Sequence, residues 1–295
     1  MLGQIRLIRG FNVQESYRRT SALYRWILAP TLALAGWTAQ AQSRPEGQPL
    51  WEFGAFGLGV SQQAYPGADQ QVNRGLALPY FVYRGQFFRA DRETAGLRAI
   101  KTPRFELDIG LGASFGARSD EISARRGMPN LGTLVEFGPR IRWNLGAPSP
   151  ASAWRLEFPI RGVFDLSDEG QYRGLAAEPR IVFQRREASG WSYATSLGAI
   201  FADRDLAETF YEVAPGQARP DRPAYEAQAG LIAIRVTASF SKNLSPDWRL
   251  FGYGRLDTVN QAANQESPLV RSRTGGSLGF GLAYTWIRSD RSASD

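Results

Sequence analysis

Between Phe105 and Phe115 apolar and polar residues alternate without a break. Phe105, Leu107, Ile109, Leu111, Ala113 and Phe115 occupy one parity, and Glu106, Asp108, Gly110, Gly112 and Ser114 the other. A period of two sends successive side chains to opposite faces of an extended chain, so the segment reads as a β-strand with one apolar and one polar face. Two settings suit it. It could be one half-buried strand of a soluble sandwich, or a tilted strand crossing a bilayer, which takes about 9–11 residues. A single strand does not separate these readings; repetition does.

The pattern recurs along the chain. Strands are expected at 51–61, 76–84, 87–91, 97–101, 105–115, 131–144, 154–165, 177–186, 191–201, 232–242, 248–257 and 278–286. Twelve is an even number, as single-chain bacterial barrels have. With the N-terminus on the periplasmic side, every second connection (85–86, 102–104, 146–152, 187–190 and 243–247) is a short turn, and the long connections all fall on the other side. A soluble sandwich has no reason to segregate its loops in this way. After residue 41 the chain keeps six tryptophans: Trp51, Trp143, Trp154, Trp191, Trp248 and Trp286. Each lies at a strand end beside a short turn or a terminus. Indole prefers the membrane–water boundary, where its ring is apolar and its N–H finds a polar partner, so these six predict a periplasmic aromatic girdle. Phe115, Phe164 and Phe201 sit at the opposite strand ends, where a second girdle belongs. The expected fold is all-β: a transmembrane antiparallel up-and-down β-barrel of about twelve strands. Pro139, Pro159 and Pro179 fall inside strands, where a closed ladder has no N–H to spare; bulges are expected there, with slipped strand boundaries as the alternative.

Residues 1–41 read as an export signal. Arg6, Arg9, Arg18, Arg19 and Arg25 form a basic region, residues 26–37 a short apolar core, and Ala39-Gln40-Ala41 a small-residue cleavage site. The expected organisation is a signal peptide at 1–41 cleaved near Ala41, a polar disordered leader at 42–50, the barrel at 51–288 and a polar tail at 289–295. No apolar run of about 18 residues follows the signal, which excludes helical spans there, while a mean hydropathy of −0.31 suits alternating strands. The formal charge of +7 falls to +3 once the five signal arginines and Glu15 are removed, too balanced to argue for nucleic acid.

The chain has no histidine and no cysteine. Nucleophilic triads that rely on histidine are excluded, as are the commonest transition-metal ligands; no catalytic, cofactor or metal residue is assigned, and no cofactor is expected. Asp120-Glu121 and Asp203 with Asp205 could bind calcium loosely, but such loop pairs read first as solvated acids. The inward parity is the surface of interest: Glu106, Asp108, Glu136, Arg140, Arg142, Arg155, Glu157, Arg161, Glu178, Arg180 and Arg186 should face the lumen. They could line a charged channel. Opposite charges on adjacent strands favour instead an interlocked ion network that fills a narrow lumen. The connection 202–228 is long for a structureless loop. It holds Phe210, Tyr211 and Tyr225, with Pro215, Pro220 and Pro223 stiffening it, so it is expected to be ordered and to fold over the barrel mouth.

Several segments resemble the MipA/OmpV family of Gram-negative outer-membrane proteins. They are Ala64-Tyr65-Pro66-Gly67-Ala68-Asp69, Leu76-Ala77-Leu78-Pro79-Tyr80, the run from Phe210 to Ala218, the run from Pro223 to Gly230, Ser267-Pro268-Leu269-Val270, and Gly279-Phe280-Gly281-Leu282-Ala283-Tyr284. The resemblance implies an outer-membrane barrel, in contact with outer-membrane lipid and without enzymatic activity. One branch of the family is described as a scaffold joining a murein transglycosylase to a peptidoglycan synthase; other members are treated as porin-like or adhesive. Members tend to end in an aromatic residue, whereas here nine residues follow Trp286. The reading is therefore a scaffold for cell-wall enzymes, with a porin-like channel as the alternative and a surface receptor or adhesin as a weaker one.

Overall fold

The alternation translates directly into a ring of antiparallel strands. The computed structural model describes residues 48–84, 88–90, 95–97 and 100–293, so the expected signal peptide and the expected turn at Gly85-Gln86 lie outside the described residues. The strand segments are β1 (Trp51–Gln63), β2 (Gln71–Arg84), β3 (Phe88–Ala90), β4 (Ala95–Leu97), β5 (Ile100–Lys101), β6 (Phe105–Ser114), β7 (Leu134–Ser149), β8 (Ser152–Asp165), β9 (Gln171–Ala177), β10 (Arg180–Arg186), β11 (Trp191–Ala202), β12 (Gly230–Asn243), β13 (Trp248–Thr258) and β14 (Thr274–Arg288). The helix α1 (Arg204–Tyr211) follows β11.

Consecutive strands pair antiparallel except at β4/β5 and β9/β10, and β1 pairs with β14 to join the two ends. β4 pairs with β3 and also lies against β6, while β5 pairs with β6, so β4 and β5 share one position in the ring. β9 and β10 share another. Ile160 opposes Ala177 and Glu157 opposes Arg180, which is one uninterrupted register along β8. The described residues thus fill twelve strand positions. Outward parities carry the exposed apolar residues, among them Leu111, Phe137, Ile160, Leu197, Leu256 and Phe280, which suits a wall facing hydrocarbon.

The structure differs from the sequence reading at several points. The first two strands extend to Gln63 and back to Gln71, shrinking the expected 62–75 loop. The sixth expected strand starts at Leu134, and Leu131 makes only an isolated bridge to Ala117. Gly146 does not end its strand. Its positive φ of 128° is absorbed as a register shift, and the hairpin runs on to Ser149 before turning at Pro150-Ala151. The prolines do not sit at bulges. Arg140 pairs with Pro159 and Phe137 with Gly162 in one register, so Pro139 and Pro159 leave gaps in the ladder without displacing it. Pro179 interrupts its strand between β9 and β10, where its carbonyl still accepts from Ala199 N at 3.1 Å. Register shifts occur elsewhere, at Phe53/Gly54, Val163/Phe164 and Ile200/Phe201 among others. The end of the leader is not disordered either. Pro49 bridges Ser292, Leu50 N donates to Arg291 O at 2.7 Å, and Ala293 N donates to Gln48 O at 2.7 Å, so leader and tail extend the β1–β14 seam.

At the long-loop end the chain builds a second, soluble-type core. Its largest fully buried side chains include Tyr211, Ile122, Leu269, Val213 and Val259, contributed by three different connections. Asp203 caps α1, accepting from Leu206 N at 3.0 Å and from Leu175 N at 2.9 Å, which ties the helix start to β9. Gly174, at φ 122°, lies beneath it; a Cβ there would come within 2.6 Å of Leu206 N. Asp203 is therefore a helix cap rather than a solvated acid.

Candidate functional site

Ten of the eleven charged residues expected to face the lumen join ion pairs on the inward face of β6–β10; Arg186 does not. The register sets this up by placing Glu106 opposite Arg142, Asp108 opposite Arg140, and Glu157 opposite both Arg142 and Arg180. Asp108, with its carboxylate wholly shielded from solvent, takes a two-pronged bond from Arg140 at 2.9 Å on each oxygen and a further contact from Arg142 at 2.7 Å. Arg142 also reaches Glu106 at 3.6 Å. Arg161 spans Glu136 at 3.3 Å and Glu178 at 2.7 Å. Arg180 bridges Glu157 at 2.7 Å and Glu178 at 3.6 Å, and Arg155 adds Glu157 at 3.9 Å and Gln184 at 2.9 Å. The glycines on the inward parity of β6 make room for these side chains. A Cβ at Gly112 would stand 3.1 Å from both Arg161 and Glu136. Arg186 lies exposed at the end of β10, apart from these pairs.

Further pairs on the same parity were not singled out from the sequence. Arg235 holds Asp257 through two bonds of 2.7 and 2.8 Å, with Arg255 3.6 Å from the same carboxylate, and Arg84 meets Glu52 at 2.9 Å. Arg235 and Asp257 sit opposite an apolar alternation of their own, so strand parity would have found them, whereas Arg84 shares its parity with Leu76, Leu78, Tyr80 and Val82 and gives no such signal.

Above the network, the connection 202–228 covers the mouth. Tyr211 is 1% exposed, its hydroxyl donates to Pro66 O at 2.9 Å, and its carbonyl accepts from Ser267 Oγ at 2.8 Å. Tyr65 packs edge-on against Tyr211 and stacks with Phe210. Tyr225 belongs to a short bridge with Val213, and its hydroxyl lies 3.4 Å from Asn264 Oδ1. Two buried arginines lock the cap through carbonyl oxygens instead of carboxylates. Arg125 donates to Phe210 O at 3.2 Å and lies over the Tyr65 ring, while Arg222 donates to Ala124 O at 3.0 Å and Gln217 O at 2.7 Å. Burial pushes the Tyr65 hydroxyl up to about 12, partly offset by Arg125, and lowers Arg125 from the usual arginine range.

Among the described residues, chambers lie at both ends of the lumen. One, of about 210 Å³, lies under the cap between Tyr65, Phe210 and Leu206 on one side and Arg161, Glu178 and Arg235 on the other. The other, of about 600 Å³, lies at the short-turn end, bounded by Glu52, Tyr80, Phe251, Tyr253, Ser192 and Ser239 among others. The six tryptophans lie at that end on outward parities. Trp143, Trp154, Trp248 and Trp286 are 48%, 38%, 45% and 52% exposed. Trp154 tilts onto Phe183, Trp248 onto Tyr284 and Trp286 onto Phe53, Trp191 stacks on Tyr193 under the Lys242 ammonium, and Trp51 pairs across to Tyr83. At the other end Phe164 stacks on Phe137, Phe201 is exposed, and Phe115 contributes its carbonyl to Gln62 Nε2 at 3.2 Å.

Comparison with known proteins adds the family. The model of the family described as "MltA-interacting protein MipA" matches residues 55–286. No curated protein sequence matches. Among solved structures, the chain is similar to the NanC porin (9% identity, 80% of this chain and 100% of that one, TM-score 0.35). It is also similar to a bacterial polysaccharide outer membrane secretin (7%, 80% and 99%, 0.38) and to outer membrane phospholipase A from Escherichia coli (11%, 81% and 94%, 0.32). At these identities and scores nothing of those proteins' activities carries over. The family match spans the barrel from its first strand to its last, and the chain belongs to the MipA family of Gram-negative outer-membrane β-barrel proteins.

Proposed function

We propose that this protein is a non-enzymatic structural partner of cell-wall enzymes, holding a murein transglycosylase, and through it a peptidoglycan synthase, at the inner face of the outer membrane. The observation that carries the reading is the match of residues 55–286 to a family described as MltA-interacting. Two features support it. Ion pairs between neighbouring strands fill one side of the lumen and a packed cap lies over one mouth, so the work is left to the protein's surfaces. The absence of histidine and cysteine leaves little for catalysis. At the short-turn end, Leu244 is exposed in its turn and the leader–tail ladder stands beside it, a surface suited to a periplasmic partner. Co-purification tests this: tagged protein from solubilised outer membranes should retain added lytic transglycosylase, and Leu244→Asp should weaken the complex. Failure to retain any transglycosylase would end the reading.

The second reading is a porin-like channel for small solutes, and the chambers of about 600 and 210 Å³ along the lumen favour it. Steady solute-selective conductance would select it over the scaffold.

A further inference from the structure

One side of the chamber at the short-turn end carries two chemically different stretches of wall, side by side. On one, Phe251 and Tyr253 of β13 point inward beside β14, and their rings lie against Gly281 and Gly279, where any Cβ would collide with them. Both rings therefore pack against bare backbone on the lumen side of the sheet, with Phe56 edge-on to Phe251. On the adjoining strands, Ser192 of β11 faces Ser241 of β12, and Ser239 faces Ala194, giving three hydroxyls on the inward parity, with Ser241 and Ser239 paired across to Phe251 and Tyr253 themselves. Gln184 of β10 adds an amide whose oxygen is taken by Arg155 at 2.9 Å, which leaves its N–H groups to donate. The chamber they line is about 600 Å³, within the roughly 300–1,000 Å³ of small-molecule pockets.

We propose that this chamber binds carbohydrate, one pyranose ring stacking on Tyr253 and Phe251 while its hydroxyls bond Ser192, Ser239, Ser241 and the Gln184 amide. The fit follows from the chemistry of each wall. The axial C–H groups of a pyranose make a weakly positive apolar face that complements the negative face of an aromatic ring. Its equatorial hydroxyls need donors and acceptors at the rim, which the serines and the amide supply. An alkyl chain would use the rings but strand the hydroxyls and the amide, and an inorganic anion would use neither ring. The volume admits a disaccharide. The inference does not depend on the scaffold reading.

The test is calorimetric titration of the full chain, purified in a detergent without a sugar headgroup, with maltose and with N,N′-diacetylchitobiose. Saturable binding in the millimolar range is expected for at least one of them. Phe251→Leu and Tyr253→Leu keep apolar bulk but lose the ring face, and each should weaken binding about tenfold. Tyr253→Phe keeps the face and should bind as the native protein does. Gln184→Leu, on β10, should also weaken binding. No saturable binding of either sugar, equal binding by the native protein and both leucine variants, or binding of decanol in place of either sugar would each overturn the proposal.

Discussion

Replacing Asp108 by Ala removes the most shielded carboxylate of the lumen and is the sharpest probe of what fills it. In the native protein Asp108 accepts two bonds of 2.9 Å from Arg140 and one contact of 2.7 Å from Arg142. The side chains of those arginines are only 8% and 6% exposed, so water cannot readily replace the lost partner. Breaking a buried pair from one side costs about 3–5 kcal/mol because the remaining charge is left without compensation. Arg142 keeps Glu106 at 3.6 Å, which places the expected loss toward the lower part of that range. Urea unfolding of the barrel in micelles, followed by gel mobility and by tryptophan fluorescence, reads the shift in midpoint. Arg204→Ala supplies the control, since Arg204 pairs with Glu208 on the exposed side of α1 and its removal should leave the unfolding curve in place. If Asp108→Ala unfolds like the Arg204 variant, the charges are hydrated and the reasoning about a filled lumen is wrong.

Other consequences are open to measurement. Phe210→Ala with Tyr211→Ala empties the centre of the cap, and large aromatic truncations in packed cores cost about 3–5 kcal/mol; protease added to intact cells should cleave the variant within 202–228 and spare the native loop. The cap should also loosen at high pH. Tyr65 is pushed up to about 12 by burial, so its stabilising contribution is whole below the ordinary tyrosine value near 10 and lost as the pH climbs through 12; tyrosinate absorbance and proteolysis should rise together, and Tyr65→Phe should remove that step. The six tryptophans should be quenched more strongly by lipids brominated near the headgroup than by lipids brominated near the chain end. Equal quenching at both depths would remove the girdle.

The barrel wall was legible because each strand carries its own evidence: Phe105–Ser114 alternates whatever its neighbours do, and parity alone puts Asp108 and Arg140 on the same side as Glu157. Arg235 and Asp257 were equally legible by that rule. The cap was legible only in outline. Phe210, Tyr211 and the prolines marked 202–228 as ordered, but Ile122, Val259 and Leu269 come from other loops whose spacing has no period to read. Arg125 and Arg222 left no signal, because their partners are backbone carbonyls that every residue offers. The prolines misled for a local reason. A missing N–H suggests a bulge, yet a twelve-position ladder tolerates a few lost bonds more cheaply than a shifted register, which would turn the following side chains to the wrong face. Gly146 and Pro148 looked like a turn because the hairpin they belong to runs on with every residue from Trp143 to Ser149 exposed.

The central claim is that this barrel is closed by its own side chains and acts through its surfaces. The most direct measurement is the single-channel conductance of the native protein reconstituted in planar bilayers. No sustained channel is expected from the native chain, with leak currents appearing only after the cap or the Asp108 pairs are broken. Steady, solute-selective conductance from the native protein would contradict it.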